Sequence, residues 1–426
     1  MAVSLGCFKS AGVAIIVWTL LPVTVLGETA GSPEQNPFRS FSIGTQSIGA
    51  RYKFSQDNVL EESAREIAAL GSDTLKIALT PHYPTDYMME RSANIHSLLD
   101  LLANCPSFER VMDMPFRNIL LWVYPFSDSK SAFTTGKISE SEAQAVYQEI
   151  YALTAHLLKR YSGSGKTFFI GNWEGDWHTL LEIYDEKLDP KPEAIQGAIQ
   201  WFNLREKAVA DARRDTAHSN VQVFFYIELN HVRKAMEENR PAIVNEVLPH
   251  IRTDFVSWSS YDVTKTAAKL GGEKGRALLF KALNYIEAHL PPSEIPGKRV
   301  FIGEYGFERT AVKDAERQMK YSASIMKWAL EWGCPLVLYW ELYCNEIDPA
   351  TGQHRGFWLI DAQGVKQPVW FLHQEILTRA RQFVEDYRAQ HGAWPSQTLY
   401  NETAATWIDA ATADIQKNNE RKPPKK

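Results

Sequence analysis

VQVFFYIEL, residues 221–229, decides the fold. The run is apolar at nearly every position and rich in Val, Phe, Tyr and Ile. Alternate positions are apolar on both sides of the chain, so a strand here is covered on both faces, as in a parallel sheet. ILLWVYPF, residues 119–126, reads the same way. Working outward, β-rich runs lie over 41–48, 74–80, 118–126, 167–173, 221–229, 254–260, 299–305 and 335–342. Helical runs alternate with them, at about 60–70, 93–103, 140–161, 193–218, 230–248, 274–289, 314–332 and 368–388. The clearest, 140–161 and 193–218, carry apolar residues three and four apart, and Ser139 is placed to cap the first. Right-handed strand–helix units repeated in this way close into a (β/α)8 TIM barrel, an α/β fold, here over residues 41–389 as a single domain. An open doubly wound sheet places a glycine-rich phosphate loop after its first strand. None is present there, and GSGK at 163–166 precedes a strand instead of following one.

Composition narrows the function classes. Hydrophobic residues are 45% and charged residues 23% of the 426, ordinary for a globular chain with a sizeable core. There are 46 basic and 51 acidic side chains, a formal net charge of -5, which leaves no footprint for nucleic acid. Aromatics reach 12%, with 13 Trp. Such rings serve as platforms for sugars as well as barrel core.

The termini carry their own signals. Lys9 precedes the uncharged run AGVAIIVWTLLPVTVLG at 11–27, the pattern of an export signal, so residues 1–27 are expected to be a signal peptide and the protein secreted or periplasmic. The run contains Pro22 and is short for a stable membrane span. Residues 28–40 read as a linker. Residues 390–426 have weaker patterning and read as an extension ending in a disordered basic tail, KNNERKPPKK; Asn401-Glu-Thr403 is a glycosylation sequon. Cys105, Cys334 and Cys344 form neither a disulfide framework nor a metal-ligand spacing. No cofactor and no metal are expected.

Catalytic groups of such a barrel come from the C-terminal ends of its strands. The fourth strand ends in FFIGNWEGDWH, 168–178, which holds Asn172, Trp173, Glu174, Asp176, Trp177 and His178. The sixth ends with Trp258, Tyr261 and Asp262, the seventh in FIGEYGF with Glu304, and the eighth in LYWELYCNE with Trp340 and Glu341. Carboxylates on the fourth and seventh strands face each other across the mouth. Cleavage of a glycosidic bond needs such a pair, with a separation of ~5–5.5 Å when configuration is retained. Asp176 is the rival to Glu174 for the acid.

At these residues the chain resembles the clan A glycoside hydrolases, cellulase-like and mannanase-like retaining enzymes. The shared order is a strand-four Glu, a strand-six Tyr, a strand-seven Glu in GEYG, and a strand-eight Trp. The resemblance implies Glu174 as acid/base, Glu304 as nucleophile, Tyr261 as a hydrogen-bond partner of the nucleophile, and Trp340 as the floor of the subsite. Asn172, Trp173, Asp176, Trp177, His178 and Trp258 complete the expected carbohydrate-binding set. Two departures stand out: Asn172 lies two residues before Glu174 instead of one, and the second strand offers Lys76 and His82 with no Arg. The alternative reading is a carbohydrate-binding protein on a barrel that has lost catalysis.

Overall fold

The computed structural model describes residues 39–420. The expected signal segment, most of the linker and the last residues of the basic tail lie outside the described residues. Strands β1 (Ile43–Gln46), β2 (Thr74–Leu79), β3 (Asn118–Val123), β4 (Thr167–Gly171), β5 (Gln222–Leu229), β6 (Phe255–Ser259), β7 (Val300–Tyr305) and β8 (Val337–Tyr339) are all parallel and form a closed barrel in sequence order. The expected (β/α)8 fold is therefore present. Strands β1 and β8 are shorter than the apolar runs and cover only the centres of 41–48 and 335–342.

Inward side chains sort by height. At the base, Phe169 of β4, Phe224 of β5, Phe255 of β6 and Phe301 of β7 pack as one aromatic plug, with ring centroids 5.2–6.5 Å apart. Above it Tyr226 packs on Phe301 at 5.8 Å. Its ring occupies the space beside Gly171, where an added Cβ would lie 2.4 Å from the ring atoms. Above that, the interior turns polar with Lys76, Glu228 and Ser257. A closed barrel is a packed core and not a pore, so these polar groups are stable only because they satisfy one another.

The helices differ from expectation in several places, among them an additional helix at Tyr261–Leu270. The run expected at 93–103 is helical only from Leu98 to Asn104, and a further helix, Pro106–Asp113, follows it with Pro106 in its first turn, where proline is tolerated. The run 230–248 is split into Val232–Glu238 and a short irregular turn, with Asn239 in the left-handed conformation as the stop. Residues 397–420, expected as part of a weak extension, form a long helix, Gln397–Glu420. Tyr400, Ala404, Ala405, Ile408 and Ala411 are its buried face. Small residues pack there closely but give a faint hydrophobic period, which hides the helix in the sequence.

Asn401, the sequon asparagine, is on that face. Its amide donates to the Cys334 carbonyl at 2.8 Å, and its oxygen accepts from Ser42 at 2.8 Å and Gln397 at 2.9 Å. The side chain is fully committed to the barrel base. All three described cysteines are free. Among the described residues, no helix is long and apolar enough to cross a membrane, and no cluster of His, Cys, Asp or Glu has the makings of a metal site.

Candidate active site

A cavity of about 970 Å³ opens at the C-terminal ends of the strands. Glu174 and Glu304 line it together, with Trp173, Trp177, Tyr261 and Trp340 from the expected set. Glu174 follows β4 and precedes a short helix, Gly175–Thr179. Glu304 sits where β7 slips register against both neighbours, between Trp258/Ser259 of β6 and between Ile302 and Tyr305 on the β8 side. Such bulges re-aim a side chain next to a functional site. Gly303 makes the bulge fit. A Cβ there would come 1.8 Å from Ser257 Oγ and 2.8 Å from Glu228 Oε2.

One hydroxyl joins the two carboxylates. Ser259 Oγ makes a short hydrogen bond with Glu174 Oε1 and lies 3.5 Å from Glu304 Oε2. The other Glu174 oxygen accepts the Trp177 indole N–H at 2.6 Å. Two hydrogen bonds through one oxygen hold the nearest carboxylate oxygens within about 6.5 Å of each other. Tyr261 donates to Glu304 Oε2 at 3.4 Å, in the arrangement expected from the resemblance.

Beneath lies the charge that strand ends alone did not reveal. Lys76 Nζ, fully buried, is 2.7 Å from Glu228 Oε2 and 3.4 Å from Glu304 Oε1. It also lies over the Trp122 ring, 4.3 Å from the centroid, and donates to the Gly303 carbonyl at 3.3 Å. Glu228 takes a further bond from Ser257 at 2.7 Å and reaches the Glu174 backbone N–H at 3.3 Å. Glu228 and Glu304 thus share one ammonium ion in a buried volume, with Glu174 alongside.

Burial pushes the Glu174 carboxyl up to about 7; Glu228 adds to the rise, and Ser259, Trp177 and Lys76 oppose it. Burial also raises Glu304 well above the usual carboxylate range, against the pull of Lys76 and with added repulsion from Glu228 and Glu174. Both shifts have one meaning: the cluster cannot hold all its negative charges and retains a proton. Glu304 has the ammonium ion and the phenol on its side, whereas Glu174 has only neutral donors. Ser259 Oγ donates to Glu174 Oε1 and stands within reach of Glu304 Oε2, so one hydroxyl serves both carboxyl groups.

Four expected cleft residues are elsewhere. Asp176, the rival acid, accepts three backbone N–H bonds, from Asn230 at 2.9 Å, His231 at 3.3 Å and Ile243 at 2.8 Å. It anchors the segment after β5 and does not line the cavity. Asn172 clamps β5: it accepts from Glu228 N at 3.0 Å and donates to Glu228 O at 3.1 Å. His178 is buried under the rim against Tyr124 OH at 2.7 Å. Trp258 is wholly buried between barrel and helices. Glu341 is likewise withdrawn, capping the Ile48 and Asn345 N–H groups that fix the loops after β1 and β8. Lys76, Glu228, Ser259, Trp122, Tyr184 and His231 are the additions. A charged residue inside an apolar strand was the available signal for Lys76 and Glu228, since each requires a buried partner.

Trp122, Trp173 and Trp340 form an aromatic wall, with Trp122 5.9 Å from Trp340 and 6.4 Å from Trp173. Trp177 meets His231 edge-on at 4.5 Å.

No protein-family model matches the chain, and no curated protein does. Solved structures do. An exo-beta-1,4-mannosidase from Opitutaceae bacterium strain TAV5 superposes with a TM-score of 0.52 at 13% identity, covering 83% of this chain and 63% of that one. A GH5_18 protein from Streptomyces cattleya, in complex with Manb1-4GlcNAc, gives 0.52 at 13% identity, covering 80% of each chain. The chain thus spans less than two thirds of the first of these structures. At such identities the likeness establishes a shared barrel fold.

Proposed function

We propose that this barrel is a retaining glycoside hydrolase, acting on a polysaccharide or oligosaccharide outside the cytoplasm. The observation that carries the reading is the Ser259 bridge, which joins Glu174 and Glu304 across the mouth of one aromatic-lined cavity. A limit of about 6.5 Å between their nearest oxygens is compatible with the ~5–5.5 Å of retaining enzymes.

In this mechanism Glu304 attacks the anomeric carbon as a carboxylate while the bond to the leaving oxygen breaks. Glu174 gives that oxygen its proton. The products of the step are a glycosyl ester on Glu304, an ionised Glu174 and a free leaving group. Water then enters, loses a proton to Glu174 and displaces Glu304, which restores both groups. Glu304 carries most charge at the start, where Lys76 and Tyr261 stabilise it. Glu174 carries charge after the first step, where Ser259 and the Trp177 N–H receive it. Ser259 serves both states because its single hydrogen can face either carboxylate. Trp340, Trp122 and Trp173 supply flat apolar faces for the sugar ring.

The test is a panel of glycans and aryl glycosides, run on wild type beside Glu304→Gln and Glu304→Gly. Cleavage by wild type, loss in Glu304→Gln, and azide rescue of Glu304→Gly with a glycosyl azide of inverted configuration support the reading. Full activity of both variants on a substrate the wild type cleaves contradicts it. Sugar binding with no cleavage across the panel favours the alternative of a binding protein on a barrel without catalysis.

A further inference from the structure

We propose that residues 181–188, the loop beside Glu174, bind an apolar leaving group, so that the substrate is a glycoside whose aglycone carries an alkyl or aryl portion. This rests on the glycosidase reading above.

Exposed apolar residues concentrate in this loop. Leu181 is 46% exposed, Ile183 54%, Tyr184 65% and Leu188 39%. One such residue on a surface is ordinary; several within a single turn of chain at the rim of a cleft mark a contact surface. Tyr184 lines the cavity itself.

The loop is also held in a disfavoured shape. Leu181 and Glu182 are consecutive left-handed residues, with φ of 55° and 61°. Neither is glycine, so the surroundings must enforce the turn. Three ties do so. The Leu181 N–H donates to His178 O at 3.0 Å, and the Glu182 N–H donates to Trp177 O at 2.8 Å. The Glu182 carboxylate lies 2.7 Å from Lys130 Nζ and 3.5 Å from His178 Nδ1. His178, absent from the cleft, thus acts as a post for the loop.

The turn brings Tyr184 edge-on to Trp177 at 5.4 Å and near Trp173 at 6.3 Å. Trp177 in turn donates to Glu174. Tyr184 is thereby linked through the Trp177 ring to Glu174. A general acid hands its proton to the leaving oxygen, so the leaving group lies on the acid's side of the broken bond. Leu and Ile offer no hydrogen-bond groups to sugar hydroxyls, and they gain by covering hydrocarbon. The flanking residues Glu182, Asp185, Glu186 and Asp189 make the segment acidic, which disfavours an anionic lipid surface as the occupant.

The experiment compares methyl, butyl and octyl β-glycosides of glucose, mannose and galactose, kept below micelle-forming concentrations. Wild type is set beside Ile183→Ser and Ile183→Ser/Tyr184→Ser. Turnover is read as kcat/KM, and binding to Glu304→Gln is read separately by tryptophan fluorescence. The expected result is at least a tenfold preference for octyl over methyl, collapsing to less than threefold in the double variant, with the loss mainly in KM. Equal handling of all chain lengths by wild type, in turnover or in binding, overturns the proposal. So does an octyl preference unchanged in the double variant, or phosphatidylcholine-vesicle binding that is lost with Ile183→Ser while the chain-length ratio stays flat. The binding arm separates the two readings: octyl preference in binding with no turnover of any glycoside sinks the hydrolase and keeps the apolar lip.

Discussion

From base to mouth, the inward residues of β5 are Phe224, Tyr226 and Glu228; β4 and β7 climb from Phe169 and Phe301 to Glu174 and Glu304. At the base, aromatic rings fill the barrel and pack on one another. At the mouth, three carboxylates, one ammonium ion from β2 and three hydroxyls from β6 and the residues after it meet in a volume that is buried but not apolar in its contacts. Stability at the base comes from area removed from water. At the mouth, burial opposes charge, and the residues persist by sharing one cation and one proton. Substitutions at the two levels should therefore fail in different ways.

The largest effect is expected at Glu304. Glu304→Gln should lower kcat by at least about 10³-fold, roughly 4 kcal/mol of barrier, with a circular-dichroism spectrum and Tm close to wild type. Lys76→Met comes next. It leaves Glu228 and Glu304 without their cation and should cost about 3–5 kcal/mol in denaturant unfolding. Lys76→Met/Glu228→Gln should recover much of that loss, which a double-mutant cycle will show. In the single variant, if it folds, the acidic limb of the pH–rate profile should move up, because Lys76 is the group that pulls Glu304 down.

A third effect has a definite sign with pH. Glu174 titrates at about 7 in the folded chain, above the ordinary Glu value of 4.5. Between these values the folded state holds a proton that the unfolded state has released, so stability falls as pH rises through that window. Glu174→Gln should thus stabilise the protein by about 1–3 kcal/mol at pH 8 and have little effect at pH 4, as measured by urea unfolding. The same proton is needed for leaving-group departure, so wild-type activity should fall as pH rises through about 7. That basic limb should vanish in Glu174→Gln assayed on an aryl glycoside with a good leaving group.

The smallest effect belongs to the base. Phe169→Leu should cost about 1–2 kcal/mol and leave kcat/KM within about twofold. A large activity loss at Phe169 would break the division between the two levels.

The fold was legible because both-face burial writes itself into strands such as 221–229, and the eightfold alternation leaves little other topology. The C-terminal helix escaped because its buried face is mostly Ala. At the site, Glu174 and Glu304 were legible from strand-end position. The difference between Glu174 and Asp176 was not. It depends on backbone N–H groups of Asn230, His231 and Ile243, which reach Asp176 only through folding. Ser259 was missed for a similar reason: a serine at a strand end has no signal of its own, and its importance lies in standing between two carboxylates from other strands. Asn172, His178 and Trp258 illustrate the converse, since polar and aromatic residues next to a site often brace it instead of lining it.

The central claim is that Glu304, and not its neighbour Glu228, forms the bond to sugar. The most direct test is to incubate the protein with the 2-deoxy-2-fluoro glycoside of whichever sugar the panel identifies, digest it, and map the label by mass spectrometry. The account predicts one glycosyl adduct, on the peptide that contains Glu304. A label on Glu228 or Glu174, or turnover of the analogue with no adduct, would contradict it.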